Sequence, residues 1–365
     1  MSRPRLLLVG RTRYRFPLSV SLARKFDALA GEVDLHVLGS AAGSSTADPT
    51  FTLVPTLRPA ILDGAAFWLM LPFRIAHLLR LRRPDAILCQ TAYEAAAALV
   101  ARRLARIPAR VIVDVHGDWR TATRLYGSPA RRLIARAADR LAAAALRRAD
   151  AVRTVSPFTS DLVRELGVEP AGDFPAFMDL EPFTRPLAAL PDEPTALFVG
   201  VLEAYKNVDG LAEAWRRAAP RVPGARLRIV GRGSRAAVVK ALARAPGVSW
   251  DAELAPSAIA DAMDDAWVLV LPSRSEGMGR VLVEAFCRGR GVVGTRAGSI
   301  PNLVTDDATG LLVEPDDPAA LAEALVRVLA DRSLAERLGA RAHAAAAPWL
   351  QTPEEYARRI RELVS

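Results

Sequence analysis

The sequence predicts an α/β protein of two doubly wound, Rossmann-like domains, each a parallel sheet covered by helices. Length is the first reason: 365 residues exceed one ordinary core and suit two domains of about 150 to 200 residues. The second is alternation, since short apolar runs recur between longer helical stretches. The third is a restart: the alternation breaks at a proline-rich segment and begins again.

In the first half, "RLLLVG", "VDLHVLG", "DAILCQ", "RVIVDVHG" and "DAVRTVS" read as strands. Helical periodicity covers Ser19–Ala30, Ala95–Ala105 and Ser128–Arg148 between them. After residue 194 the strands are "TALFVG", "ARLRIVG", "GVSWDA", "AWVLVLPS", "GVVGT" and "GLLVEP". Residues 182–194, "PFTRPLAALPDEP", hold four prolines and place the boundary there. The expected domains are 1–187 and 188–345, with 346–365 forming an amphipathic terminal helix that packs back toward the first domain or stays on the second. Two such units leave a cleft facing the carboxyl ends of their strands, where ligands of this fold class bind.

Composition narrows the function. Apolar residues make up 51% and charged residues 24%, as in a soluble globular protein. The net charge of +9 sits in the first half. Residues 1–187 hold 27 Lys and Arg against 17 Asp and Glu, +10, and the remainder 22 against 23, −1. An anionic partner, whether a membrane surface or an acidic acceptor, and a plain solvated surface are both open readings. The basic residues are dispersed, without aromatic platforms, which argues against nucleic acid. Cys89 and Cys287 stand alone in apolar segments, so neither a disulfide framework nor a metal site is expected. No run approaches eighteen apolar residues and no leader is recognisable; a cytoplasmic protein, peripheral to a membrane at most, is expected. Residues 67–83, "FWLMLPFRIAHLLRLRR", read as a core helix with a basic end, and less often as a helix lying on an anionic membrane.

The chemistry concentrates in "AWVLVLPSRSEGMGRVLVEAF", residues 266–286. A buried strand ends in a polar turn carrying Glu276. Gly277 and Gly279 allow close backbone approach, and a helix opening near Met278 offers its amino end to a diphosphate. Glu284 falls inside the following apolar helix. An unpartnered carboxylate there costs several kcal/mol, and the two hydroxyls of a ribose would satisfy it. Glu276 also fits as a helix cap. Lys206 follows a strand and opens a helix, a position suited to stabilising a leaving diphosphate. His116, in "DVHGDW", follows another strand, with Asp114 and Asp118 able to orient it. "VGRTRY" and "VGRGSR" do not complete a dinucleotide fingerprint, so nicotinamide chemistry is not expected.

At this point the chain resembles the retaining GT-B glycosyltransferases, more narrowly their family 4. The resemblance rests on Glu276 and Glu284 as an E-x7-E donor signature, on "LFVGVLEAYKNVDGLAEAW" with Lys206, on "RLRIVGRGS", and on "GTRAGSIPNLVTDDATGLLVEPDDPAALAEAL". It covers residues 196–330 closely and the segment before residue 80 loosely. It implies transfer of a sugar from a nucleotide diphosphate, UDP or GDP first, to an acceptor hydroxyl with retention, without metal or other cofactor. Lys206, Glu276 and His116 become the catalytic set, and Glu284, Gly277, Met278, Gly279, Gly200, Arg232 and Gly10 the donor-binding set. The acceptor is unidentified; an anionic, lipid-linked or small natural-product acceptor each fits.

Two positions depart from the family pattern. Val201 stands where an arginine commonly grips the diphosphate, leaving Arg232, Arg274 or Arg280 to supply that charge. Gly10 is followed by Arg11, Arg13 and Arg15 instead of a second glycine. A binding subunit with little catalysis and a nucleotide-sugar epimerase are the alternatives; donor turnover with and without acceptor separates all three.

Overall fold

The computed structural model describes residues 3–42, 48–56, 60–120 and 129–365, without the side chains of 60–62 and 129–134. Two compact units divide them. The first runs to Met178 and takes back Gln351–Ser365, and the second is Asp179–Leu350.

The first unit holds seven parallel strands: β1 (Arg5–Tyr14), β2 (Asp34–Ala41), β3 (Phe51–Val54), β4 (Ala86–Cys89), β5 (Arg110–Val115), β6 (Ala151–Thr154) and β7 (Gly172–Asp173), in the order β3-β2-β1-β4-β5-β6-β7. Side-chain alternation splits β1 between two cores. Leu7 and Val9 join the helices Ala60–Arg82, Ala92–Ala105 and Pro129–Arg148, while Leu6 and Leu8 join Val20–Glu32 and Pro353–Val364. The terminal helix Pro353–Val364 opens with a reciprocal cap between Thr352 and Glu355. It buries Tyr356, Ile360, Leu363 and Val364 in the first unit's core.

The second unit holds β8 (Thr195–Val199), β9 (Arg226–Val230), β10 (Val248–Asp251), β11 (Val268–Leu271), β12 (Gly291–Thr295) and β13 (Gly310–Val313), all parallel, in the order β10-β9-β8-β11-β12-β13. The order reverses direction at β8 and β11, so the chain leaves the sheet on opposite sides there.

Several details differ from expectation. The second unit begins at Asp179, ahead of the expected 187/188 boundary, because three arginines, two of them buried, hold the proline-rich segment to it. Arg288 donates to the carbonyls of Phe183, Arg185 and Pro186, Arg290 to those of Ala188 and Ala189, and Arg332 to those of Leu190 and Pro191. Carbonyls outside any sheet need such donors. The strand expected to end at Gly10 continues to Tyr14, with a register shift between Val9 and Arg13. The expected helix start at Ser128 lies outside the described residues; the described helix opens at Pro129. Strand β3, "FTLV", is not among the expected strands.

Arg288 is fully buried and also pairs with Asp264 at 2.8 Å. Replacing one member of a buried pair typically costs about 3 to 5 kcal/mol. Arg288→Met is therefore expected to lower the urea midpoint markedly, and an unchanged midpoint would remove the clamp from this account.

Candidate active site

The carboxyl edges of β8 and β11 carry the residues singled out by sequence. After β8, Gly200 donates its N–H to Val230 O at 3.0 Å. The chain then makes a short 3-10 turn, Ala204–Lys206. Asn207 follows in the left-handed region, φ 54°, and caps the helix Val208–Ala218 through Gly210 N at 3.2 Å. That turn sends Lys206 inward, where only 8% of it stays exposed.

After β11 the turn brings Glu276 to meet it. Lys206 Nζ lies 2.5 Å from Glu276 Oε1, and Ser273 Oγ donates to the same oxygen at 2.7 Å. The Glu276 backbone is braced from behind, since Ser299 N donates to Glu276 O at 2.9 Å. Gly298 makes that approach possible. Its φ is +56°, and a Cβ there would fall 2.2 Å from Glu276 O. Gly277, Met278 and Gly279 complete the turn, Gly279 in the left-handed region at φ +65° as the cap of the helix. That helix is Arg280–Cys287, opening two residues beyond Met278.

Glu284 sits one turn into this helix, half-buried, between Val283 and Ala285, which are fully buried. No hydrogen bond or ion pair holds its carboxylate among the described residues. Burial pushes its carboxyl above the ordinary value, against the pull of Arg280 and Lys206. The site therefore pairs one carboxylate to its lysine and leaves the other open.

The arginines considered as replacements at Val201 behave differently. Arg274 is committed to Asp316 at 2.6 Å and to Ala204 O at 2.5 Å. Arg232 is mostly exposed and pairs with Glu253 at 2.8 Å. Arg280 is exposed at the start of the helix and has no acidic partner within ion-pairing distance among the described residues. Val201 itself is 46% exposed.

The first unit places its own residues at the carboxyl edge of its sheet. His116 follows β5, with Nε2 2.9 Å from Asp114 Oδ2. Asp114 is buried, and its other oxygen accepts from Arg153 Nη1 at 2.6 Å. Burial alone would raise the Asp114 carboxyl, but Arg153 and His116 together hold it well below the usual carboxylate range. An ionised carboxylate only accepts, so on a neutral ring Nε2 carries the proton and Nδ1 keeps its lone pair. Asp118 instead pairs with Arg120 at 3.1 Å. Arg153 is fully buried against the Phe174 ring at 4.0 Å. Sequence reasoning missed it, although an arginine inside the apolar strand "AVRT" was the available signal.

Gly10 packs on Gln90, whose Oε1 lies 1.9 Å from where a Cβ would stand. Arg11, in the place of a second glycine, turns its side chain to Asp63 at 3.0 Å, while its N–H donates to the buried Glu94 at 3.3 Å. Arg13 lies 3.9 Å from Asp63.

An open cavity of about 1020 Å³ lies at the opposite, amino edge of the second sheet, lined by Glu193, Arg226, Arg228 and Asp251 among others. Its charges neutralise one another, Arg226 with Glu193 at 2.5 Å and Arg228 with Asp251 at 3.0 Å. It lies away from the strand ends that carry Lys206 and Glu276.

Comparison with known proteins gives two family matches. Residues 193–331 match the model described as "Glycosyl transferases group 1", and residues 19–172 match "Glycosyl transferase 4-like domain". A D-inositol 3-phosphate glycosyltransferase of Geodermatophilus obscurus is 34% identical over 236 residues, covering 60% of this chain and 50% of that protein. The chain spans about half the length, or less, of the relatives it matches. Among solved structures, sucrose-phosphate synthase from Thermosynechococcus elongatus superposes with a TM-score of 0.78 at 20% identity, over 99% of this chain and 98% of that one. Anabaena HepE in complex with UDP-glucose gives 0.71 at 16%, over 99% and 98%.

Gly298→Ala is expected to lower stability by about 1 to 3 kcal/mol, the scale of a forced left-handed residue, and to displace the Glu276 turn. Thermal unfolding measures the first effect; an unshifted midpoint would contradict it.

Proposed function

This chain belongs to the group 1 and 4-like glycosyltransferases of GT-B fold, and on that premise we propose that it moves a sugar from a nucleotide diphosphate to an acceptor hydroxyl with retention of configuration. The observation that carries this reading is the pairing at β8 and β11: a buried lysine held by one carboxylate beside a second carboxylate with no protein partner. An ammonium and two carboxylates suit a ligand that is anionic in its middle and rich in hydroxyls at both ends.

In this proposal Lys206 faces the diphosphate, Glu276 the sugar and Glu284 the two ribose hydroxyls. Arg280, four residues before Glu284 on one helix face, supplies the cation that Val201 does not. The bond from the anomeric carbon to the phosphate oxygen breaks as the acceptor oxygen bonds to that carbon on the same face. The acceptor proton passes to the departing phosphate oxygen, and the leaving charge is stabilised electrostatically. No side chain is assigned as a nucleophile. His116, with its ring fixed by Asp114, offers Nδ1 as an acceptor to a hydroxyl of the sugar. In this proposal the reaction draws on no metal.

Anabaena HepE was solved with UDP-glucose, which supports UDP-sugars as the first donors to test, with GDP-sugars next. A thermal-shift series with UDP-, GDP-, ADP- and dTDP-sugars identifies the donor, since a ligand at a hundred times its Kd stabilises by about 2.7 kcal/mol. The exposed Val201 favours one competing reading, a subunit that binds donor without transfer. Release of free nucleotide in the presence of acceptors decides between them.

Lys206→Ala is expected to lower turnover by roughly 10² to 10³. The folded fraction is measured alongside, because the change also strands Glu276. Wild-type turnover would contradict the assignment. Glu284→Gln separates binding from folding. A buried carboxyl with a raised pKa costs stability when ionised, and that cost fades as pH falls through its folded value. The variant should therefore melt at or above the wild-type temperature at pH 7 while losing nucleotide affinity. A lower melting temperature with unchanged affinity would make Glu284 a structural residue.

A further inference from the structure

The helix Ala60–Arg82 presents apolar side chains on both sides. Its inner face, Phe67, Leu71, Ile75, Leu78 and Leu79, is buried in the first unit's core. Its outer face carries Leu69, 72% exposed, Phe73, 60%, and Leu81, 64%, together with exposed Met70. The core is complete without them. The expected reading of residues 67–83 as a core helix with a basic end is thus half right: the end is basic, and the outward face is apolar.

The neighbouring helix Ala92–Ala105 extends this surface. Val100 and Leu104 are exposed on it, and Arg80 Nη2 donates to Leu104 O at 2.7 Å, joining the basic ends of the two helices. At 1.5 Å per residue, Leu69 to Leu81 spans about 18 Å of helix. Residues 64–84 and 95–113 together contain eight arginines and no Asp or Glu. Arg83, Arg103 and Arg106 are exposed, without an acidic partner within ion-pairing distance among the described residues.

We propose that this face docks on a membrane surface bearing anionic lipid. An apolar strip flanked by unpaired arginines matches the two layers of such a surface: acyl chains take Leu69, Met70 and Phe73, and headgroup phosphates take the guanidinium groups. A second copy of the chain fits poorly, because a two-fold contact would set this arginine cluster against its own duplicate. The docking needs no spanning segment, and no described helix is long and apolar enough to cross a membrane. Since the face is remote in sequence from Lys206, Glu276 and Glu284, the inference stands apart from the donor assignment.

The test is co-sedimentation of the full chain with vesicles of phosphatidylcholine alone or mixed with phosphatidylglycerol. The wild type is expected to pellet with the mixed vesicles at low salt and to remain in solution with phosphatidylcholine alone. Raising ionic strength to about 1 M, where screening acts within roughly 3 Å, should release it. Leu69→Asp combined with Phe73→Asp should abolish pelleting. Arg83→Glu combined with Arg103→Glu should weaken it roughly tenfold or more, given about a fivefold contribution per basic residue near the surface. Both variants should keep the wild-type melting temperature and nucleotide affinity. Wild-type protein that stays in solution with anionic vesicles overturns the proposal, as does undiminished pelleting of the Leu69/Phe73 variant. Concentration-dependent dimers abolished by these same changes would also overturn it, by assigning the face to a second copy.

Discussion

Lys206 is buried against Glu276 and within the field of Glu284, and the arrangement of that sheet edge follows from where its ammonium is held. Its bond to Glu276 fixes the turn after β11, and Ser273 locks the same carboxylate oxygen. With that lysine engaged, Glu284 feels its field without touching it, and burial keeps the carboxyl raised. An apolar residue on that helix face would carry no such desolvation cost. In the proposed function a ligand's hydroxyls would offset that cost.

The first unit shows the opposite arrangement. Asp114 is satisfied on both oxygens, by fully buried Arg153 and by His116. In that trio the outer nitrogen of the imidazole and the buried Nε of Arg153 have no protein partner among the described residues. The second unit thus leaves a half-buried carboxylate without a protein partner among the described residues, and the first holds an imidazole against a buried carboxylate. The terminal helix contributes to the second of these, since Tyr356 lies 5.6 Å from the Arg153 guanidinium.

Much of this was legible in the sequence because the strands are apolar runs with few interruptions, and because Glu284 breaks such a pattern in a helix. The doubly wound class, Lys206, Glu276 and the glycine turn at Gly277–Gly279 all announce themselves by local contrast. What was not legible depends on partners far apart in the chain. The pairing of Lys206 with Glu276 joins residues 70 positions apart. The clamp of Arg288 on Phe183, Arg185 and Pro186 spans more than a hundred, and it turns a proline-rich stretch that reads as a hinge into an anchored strap. Exposure misled in a different way. Leu69, Met70 and Phe73 share the composition of the buried face of the same helix, and hydrophobicity alone cannot say which side turns inward.

The central claim is that Glu284 stays unpaired because a nucleotide sugar completes it. A crystal structure of the chain with a cognate nucleotide-diphosphate sugar tests this most directly. Both ribose hydroxyls are expected within hydrogen-bonding distance of the Glu284 carboxylate, and the diphosphate beside Lys206. A nucleotide bound elsewhere, with Glu284 closed onto Arg280, would contradict it.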